Sequence, residues 1–176
     1  MIDKQDLEKI ERILDESFEN LIKKDHDLIR GHNRHGGHVH EVCICHRLAV
    51  YIENCIQRDE MLRQYNVDIE YNKNYYDSKT LFFDNEEVSV RPDILVHRRM
   101  KKDESIPQHY LVVEAKKNRG IDYYDKKKVV AFLKDQKYEY QFGLTVQFGC
   151  FNPIMAQLFY LQGDELVCKN LYYPKE

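Results

Sequence analysis

The stretch from Val88 to Asn118, VSVRPDILVHRRMKKDESIPQHYLVVEAKKN, decides how the rest of the chain is read. It holds two apolar strands separated by a short polar loop. Asp93 follows Pro92 on the first strand, and Glu114 and Lys116 stand two residues apart on the second. A strand sends alternate side chains to opposite faces, so Glu114 and Lys116 share one face while Val113 and Ala115 take the other. Two acids and a lysine in a sheet otherwise rich in Val, Ile and Leu are costly to bury without compensation, and a divalent cation is the simplest compensator.

Working outward, the segment before this stretch carries two helical patterns. Asp3 is placed to cap a helix running to about Ile29, with Leu7, Ile10, Leu14, Phe18, Leu21 and Leu28 on one stripe. That helix lies on the domain or serves as the arm of a homodimer. A second helix is expected from about His40 to Arg58, its buried stripe including Cys45, Leu48, Ala49, Ile52 and Ile56. Glu41 lies on the same side one turn earlier. An acid at a helix N-terminus complements the macrodipole, but this one is aligned with the apolar face and points toward the core.

Between the helices, Gly31 to His40 reads GHNRHGGHVH, a polar loop with four histidines, near Cys43 and Cys45. Zinc is one reading, since imidazole and thiolate are good ligands. The spacing matches no recognised ligand pairing, however, and on a helix the two cysteines point about 200° apart. A solvated loop beside a phosphate-binding surface is the other reading.

NVDIEYN, from Asn66 to Asn72, alternates as a half-buried strand. Lys73 to Glu87 is a loop or irregular hairpin with Asp84-Asn85 as its turn. The strands around Asp93 and from Tyr110 to Lys116 are close enough in sequence to be antiparallel neighbours. A helix from Asp122, its N-cap, to Lys137 precedes a buried apolar run, Phe142 to Phe148, which signals a crossover to a parallel neighbour. IMAQLFYL and ELVCKNLYY, joined by Gln162-Gly163-Asp164, extend the sheet as a hairpin.

The 176 residues are read as one α/β domain: an N-terminal helix (1–30), a core (39–149) and a terminal hairpin (154–173). Five cysteines, mostly in apolar runs, and a charged N-terminus without an apolar signal core point to a cytoplasmic protein, and no run is long enough to span a bilayer.

Paired across the sheet, Asp93 and Glu114 converge on one hard cation, with the main-chain carbonyl of Ala115 as a further ligand; oxygen donors of this kind suit Mg²⁺ or Mn²⁺. Lys116 then lies beside a metal-bound water, able to orient it and to stabilise charge on a phosphate in transit. The structural alternative is that both acids form ion pairs with lysines at a sheet edge.

Pro92-Asp93, followed by Glu114-Ala115-Lys116 at the end of an apolar strand, resembles the PD-(D/E)XK nuclease superfamily, of restriction-endonuclease-like fold. The resemblance covers roughly 39–149, and EVCICHRLAVYIE, VDIEYN, RPDILVHRR and LVVEAKK are together similar to a group of small bacterial proteins in it. It implies an αβββαβ core with a mixed central sheet and Mg²⁺-dependent cleavage of nucleic acid, DNA rather than RNA. It further implies that Asp93 and Glu114 bind metal, that Lys116 positions the nucleophile, and that Glu41 holds a metal or a water. An inactive relative that binds nucleic acid or serves assembly is the alternative. Gln136 and Tyr140 also spell a QxxxY motif found in some exonucleases of the superfamily, but they fall at the end of the helix rather than early on it, and the match is set aside.

From Arg98 to Lys128 ten basic residues stand against five acidic ones, a local +5 in a chain whose net charge is −3. Arg98, Arg99, Lys117, Arg119, Lys126, Lys127 and Lys128 are therefore candidate phosphate contacts, with Tyr123 and Tyr124 able to stack on an exposed base. Ordinary solvated loop lysines are the plainer reading.

Overall fold

The computed structural model describes residues 2–30, 39–74, 76–83, 86–100, 106–149 and 153–175. Among these the chain is an α/β fold with three helices and a mixed central sheet of six strands. Helix α1 (Lys4–Arg30) starts at a reciprocal pair, in which Asp3 Oδ1 accepts from the Asp6 N–H at 2.9 Å and Asp6 Oδ2 accepts from the Asp3 N–H at 3.1 Å. Asp25 leaves helical geometry (φ −128°, ψ 26°) and kinks α1 where its carboxylate takes Arg47 Nε at 3.0 Å and the Tyr51 hydroxyl. Helix α2 (Glu41–Ile56) buries Ile44, Cys45, Leu48, Ala49, Tyr51, Ile52, Cys55 and Ile56.

Strand β1 (Asn66–Ile69) is shorter than the alternating pattern suggests, because Glu70 turns to φ 48° and ends it. The segment expected as a loop or irregular hairpin instead forms two small ribbons: β2 (Lys73–Asn74) with β3 (Asp77–Ser78), and β4 (Thr80–Phe83) with β5 (Glu86–Ser89). The Asp84-Asn85 turn lies outside the described residues. Asp93 was expected on a strand. It lies one residue ahead of β6 (Ile94–His97), outside any strand.

Strand β7 (His109–Lys117) runs antiparallel to β6, and β8 (Phe142–Phe148) runs parallel to β7 after the crossover through α3 (Tyr123–Lys134). Asp122 caps α3 as expected, in a reciprocal box with Asp125; the helix stops at Lys134 because Asp135 is extended. Strands β9 (Ile154–Gln162) and β10 (Glu165–Tyr173) complete the sheet in the order β1-β6-β7-β8-β9-β10.

The sheet separates two apolar layers. Helices α1 and α2 cover one face, over Ile94, Val96, Leu111, Val113, Ala115 and Leu144. Helix α3 and β4 cover the other, over Leu95, Val112 and Phe159. Only glycine allows α3 so close, since a Cβ at Gly143 would overlap Val129 Cγ1 and lie 3.6 Å from Leu133 Cδ1. The apolar stripe of α1, which a homodimer arm would present, is covered by α2 and by β10 of the same chain. There Tyr173 stacks on Phe18 with ring centroids 4.4 Å apart, its hydroxyl donates to Asp15 Oδ1 at 2.8 Å, and Lys169 pairs with Glu11 at 2.6 Å. Among the described residues no helix is long and apolar enough to cross a membrane.

Candidate functional site

The candidate residues meet where β7 ends, between the N-termini of α2 and α3. Strand pairing places the first two. Ile94 is the partner of Val113, the Asp93 N–H donates to the Val113 carbonyl at 3.2 Å, and continuing that register sets Asp93 opposite Glu114. The Asp93 carbonyl also accepts from the Glu70 N–H at 3.1 Å, and its Oδ2 accepts from the Ala115 N–H at 2.7 Å. Asp93 is thereby held by three backbone contacts without belonging to a strand.

Glu114 is 3% exposed on the central strand, on the face covered by α3. Its Oε2 accepts from Lys128 Nζ at 2.5 Å. Burial pushes its carboxyl up to about 7, helped by the negative charge of Asp93 and opposed by Lys128. Burial likewise raises the Asp93 carboxyl, against the Ala115 hydrogen bond and the Lys116 charge. Lys116, two residues on and also buried, donates to the Ala115 carbonyl at 3.0 Å and lies 3.3 Å from Asp125 Oδ1.

Glu41, the first residue of α2, accepts the Lys117 N–H at 2.5 Å and pins that helix to the end of β7. Its charge is felt at Asp93, and both acids act on Cys45 one turn along α2, whose thiol burial has already raised. Cys45 thus faces the cluster, whereas Cys43 is exposed, as their helical spacing requires. Histidines 32, 35 and 38 lie outside the described residues, and the zinc reading with them.

Asp93 thus stands opposite Glu114, with Lys116 and Glu41 within electrostatic reach of Asp93. Asp125 was not foreseen in the sequence, and Lys128, expected as a phosphate contact, is instead turned to Glu114. Asp125 is 4% exposed and bridges Lys116 and Lys128, the latter at 3.6 Å. Their spacing was visible, since 125, 128, 129 and 132 form one helical stripe, but a polar pair on the apolar face of α3 was not singled out.

The basic candidates divide. The Arg98 guanidinium is buried and donates to the Ile106 carbonyl at 3.1 Å, and Arg99 grips Asp68 through Nε at 2.8 Å and Nη2 at 2.5 Å. Lys117 turns inward to the carbonyls of Leu28 and Val39 at 3.0 and 3.1 Å, and Lys128 is engaged by Glu114. Arg119 is exposed and Lys126 and Lys127 are half-buried, with Lys127 Nζ 6.0 Å from the centre of the exposed Tyr123 ring. Gln136 and Tyr140 lie past the end of α3, and Tyr140 packs on His109 at the start of β7. A cavity of about 710 Å³, lined by Tyr65, Tyr110 and Gln141 among others, opens at that same start of the strand. Tyr110 is four residues from Glu114, about 13 Å along the strand, so the cavity stands apart from the carboxylates.

Among the described residues no group of three or more His, Cys, Asp or Glu is gathered so as to hold a metal ion. The donor chemistry is nevertheless that of a hard cation, because Mg²⁺ is commonly held by one or two carboxylates, with water and substrate oxygens completing its shell. Asp93, Glu114 and the Ala115 carbonyl are such donors. Four carboxylates (Glu41, Asp93, Glu114, Asp125) face two ammonium groups (Lys116, Lys128), so the fully ionised cluster is two positive charges short. Comparison with protein-family models, with curated proteins and with solved structures returns no match to the chain.

Proposed function

We propose that the chain is a Mg²⁺- or Mn²⁺-dependent nuclease of the PD-(D/E)XK type that hydrolyses phosphodiester bonds, in DNA rather than RNA. The observation that carries this reading is the placement of Asp93 opposite Glu114 with Lys116 two residues further along the same strand. The order α2, β1, β6, β7, α3, β8, antiparallel through β7 and then parallel, supports an αβββαβ core.

In this reading Asp93, Glu114 and the Ala115 carbonyl would hold the cation, and Glu41 would hold a further water or metal. When bound, the cation supplies positive charge to a phosphate and acidifies water. Lys116 orients the attacking water from the same face as Glu114 and stabilises the charge developing on the phosphate oxygens. Burial excludes bulk water around Glu114, strengthening each of these interactions. Arg119, Lys126 and Lys127 lie near the N-terminus of α3, where they can receive the backbone of the substrate.

One observation favours a second reading, a catalytically inactive nucleic-acid-binding or assembly module. The Glu114–Lys128 and Lys116–Asp125 pairs already compensate part of the buried charge within the protein. Untagged protein incubated with plasmid DNA and with RNA in Mg²⁺ or Mn²⁺ separates the two. Metal-dependent cleavage that Glu114→Ala and Lys116→Ala both abolish, with circular dichroism unchanged, supports the nuclease. Cleavage by either variant at the parent rate refutes the site, and stoichiometric zinc in protein without cleavage favours the module.

A further inference from the structure

Among the described residues, Lys128 is the hydrogen-bond partner of Glu114 with which a hard cation would compete. Its side chain is 16% exposed and its Nζ lies 2.5 Å from Glu114 Oε2. An ammonium donates to the same carboxylate lone pairs that a metal ion uses, and the two positive charges repel. Sharing one buried carboxylate therefore sets the ammonium and the cation in competition.

A landing place for the displaced ammonium is already built. Asp125 Oδ1 stands 3.6 Å from Lys128 Nζ, and the capping box with Asp122 fixes Asp125 at the start of α3. The lysine stem is long and its donors rotate, so the move from one carboxylate to the other needs no backbone shift.

A second, independent observation comes from the neighbouring strand. Thr145 is the register partner of Glu114 on parallel β8 and is 1% exposed. It shares a face with Gly143, against α3, and therefore with Glu114. Its hydroxyl is buried and has no hydrogen-bond partner among the described residues. Buried hydroxyls left unpaired are uncommon and call for an explanation. A water carried in by a hydrated cation would supply the missing partner.

We propose that Lys128 is the exchangeable counter-ion of the cation site: its ammonium holds the Glu114 carboxylate until a divalent cation arrives, then transfers to Asp125. This rests on the reading of Asp93 and Glu114 as cation ligands. Lys128 is here a positioning residue, because it keeps the Glu114 carboxylate in place for the ion that replaces it.

The test is Mn²⁺ binding without nucleic acid, by calorimetry and by the electron paramagnetic resonance of free Mn²⁺, on untagged protein stripped with chelator. K128Q removes the competing charge at similar length and binds Mn²⁺ on the order of tenfold more tightly than wild type, within the usual range of coupling between two ligands. K128R keeps the charge and shows no such gain. E114Q loses binding. Unchanged or weaker binding by K128Q, with E114Q still deficient, overturns the exchange and leaves the cation site standing. Wild-type binding by E114Q, or none by wild type, overturns the cation site itself. If K128Q does not fold, nuclear magnetic resonance of wild type decides the matter. On saturation with Mg²⁺ the Lys128 side-chain ammonium signal shifts together with the Glu114 carboxyl carbon, and a stationary Lys128 beside a shifting Glu114 refutes the proposal.

Discussion

Replacing Glu114 with Gln converts a buried ionisable group into a neutral isostere, and the pH dependence of stability reports the difference. In the unfolded chain this carboxyl titrates at the ordinary 4.5, while burial lifts it to about 7 in the fold. Below the lower value both states carry the proton, and above the higher value neither does. Between them the folded state holds a proton that the unfolded state has released, so wild-type stability falls as pH rises. At 1.36 kcal/mol for each tenfold change in proton activity, that window is worth on the order of 3 kcal/mol. The Gln variant lacks this slope, and other titrating groups largely cancel in the difference between the two proteins. Urea unfolding in chelator at pH 4 to 8, followed by circular dichroism, measures it. The loss of the Lys128 contact shifts the Gln profile by a nearly constant amount, so the slope and not the offset is the observable. A wild-type-minus-variant difference that stays flat across this range refutes the assigned environment of Glu114.

Two further perturbations address how the site is supported. Gly143→Ala drives a methyl group into Val129 and lowers stability by about 1–3 kcal/mol, the usual cost of overpacking, with a second change, Val129→Ala, recovering much of it; an unchanged urea midpoint for the single variant would contradict the close approach of α3. Lys117→Met removes charged hydrogen bonds to the carbonyls of Leu28 and Val39, costing about 1.5–3 kcal/mol and speeding amide hydrogen exchange around 26–30 while oligonucleotide affinity holds. Weaker oligonucleotide binding with undisturbed exchange would return Lys117 to the nucleic-acid surface.

The elements that were legible share a local cause. Alternation along YLVVEAKK placed Glu114 and Lys116 on one face, Asp122 announced the start of α3, and Gly163 at φ 63° makes the short turn that pairs Gln162 with Glu165. What could not be read depends on distant partners. Arg99 looks like a phosphate contact until Asp68, on a neighbouring strand, takes its guanidinium. Lys128 looks like one more lysine in a basic run until Gly143 lets α3 settle close enough to bring it to Glu114. The ribbons between 73 and 89 carry no clean alternation, because their pairs are short and largely exposed.

The clasp between α1 and β10 bears on how the chain reaches this fold. Asp15 and Tyr173 are 158 residues apart in sequence, as are Glu11 and Lys169. During synthesis α1 emerges before β10, so part of the cover for its apolar stripe is translated 158 residues later. Until then Phe18 lacks its aromatic partner. Contacts of such separation carry a large loop-closure entropy and slow the final step of folding. Until β10 arrives, helix α2 alone covers the stripe, and the part of α1 around Phe18 and Asp15 stays without its aromatic and hydroxyl partners.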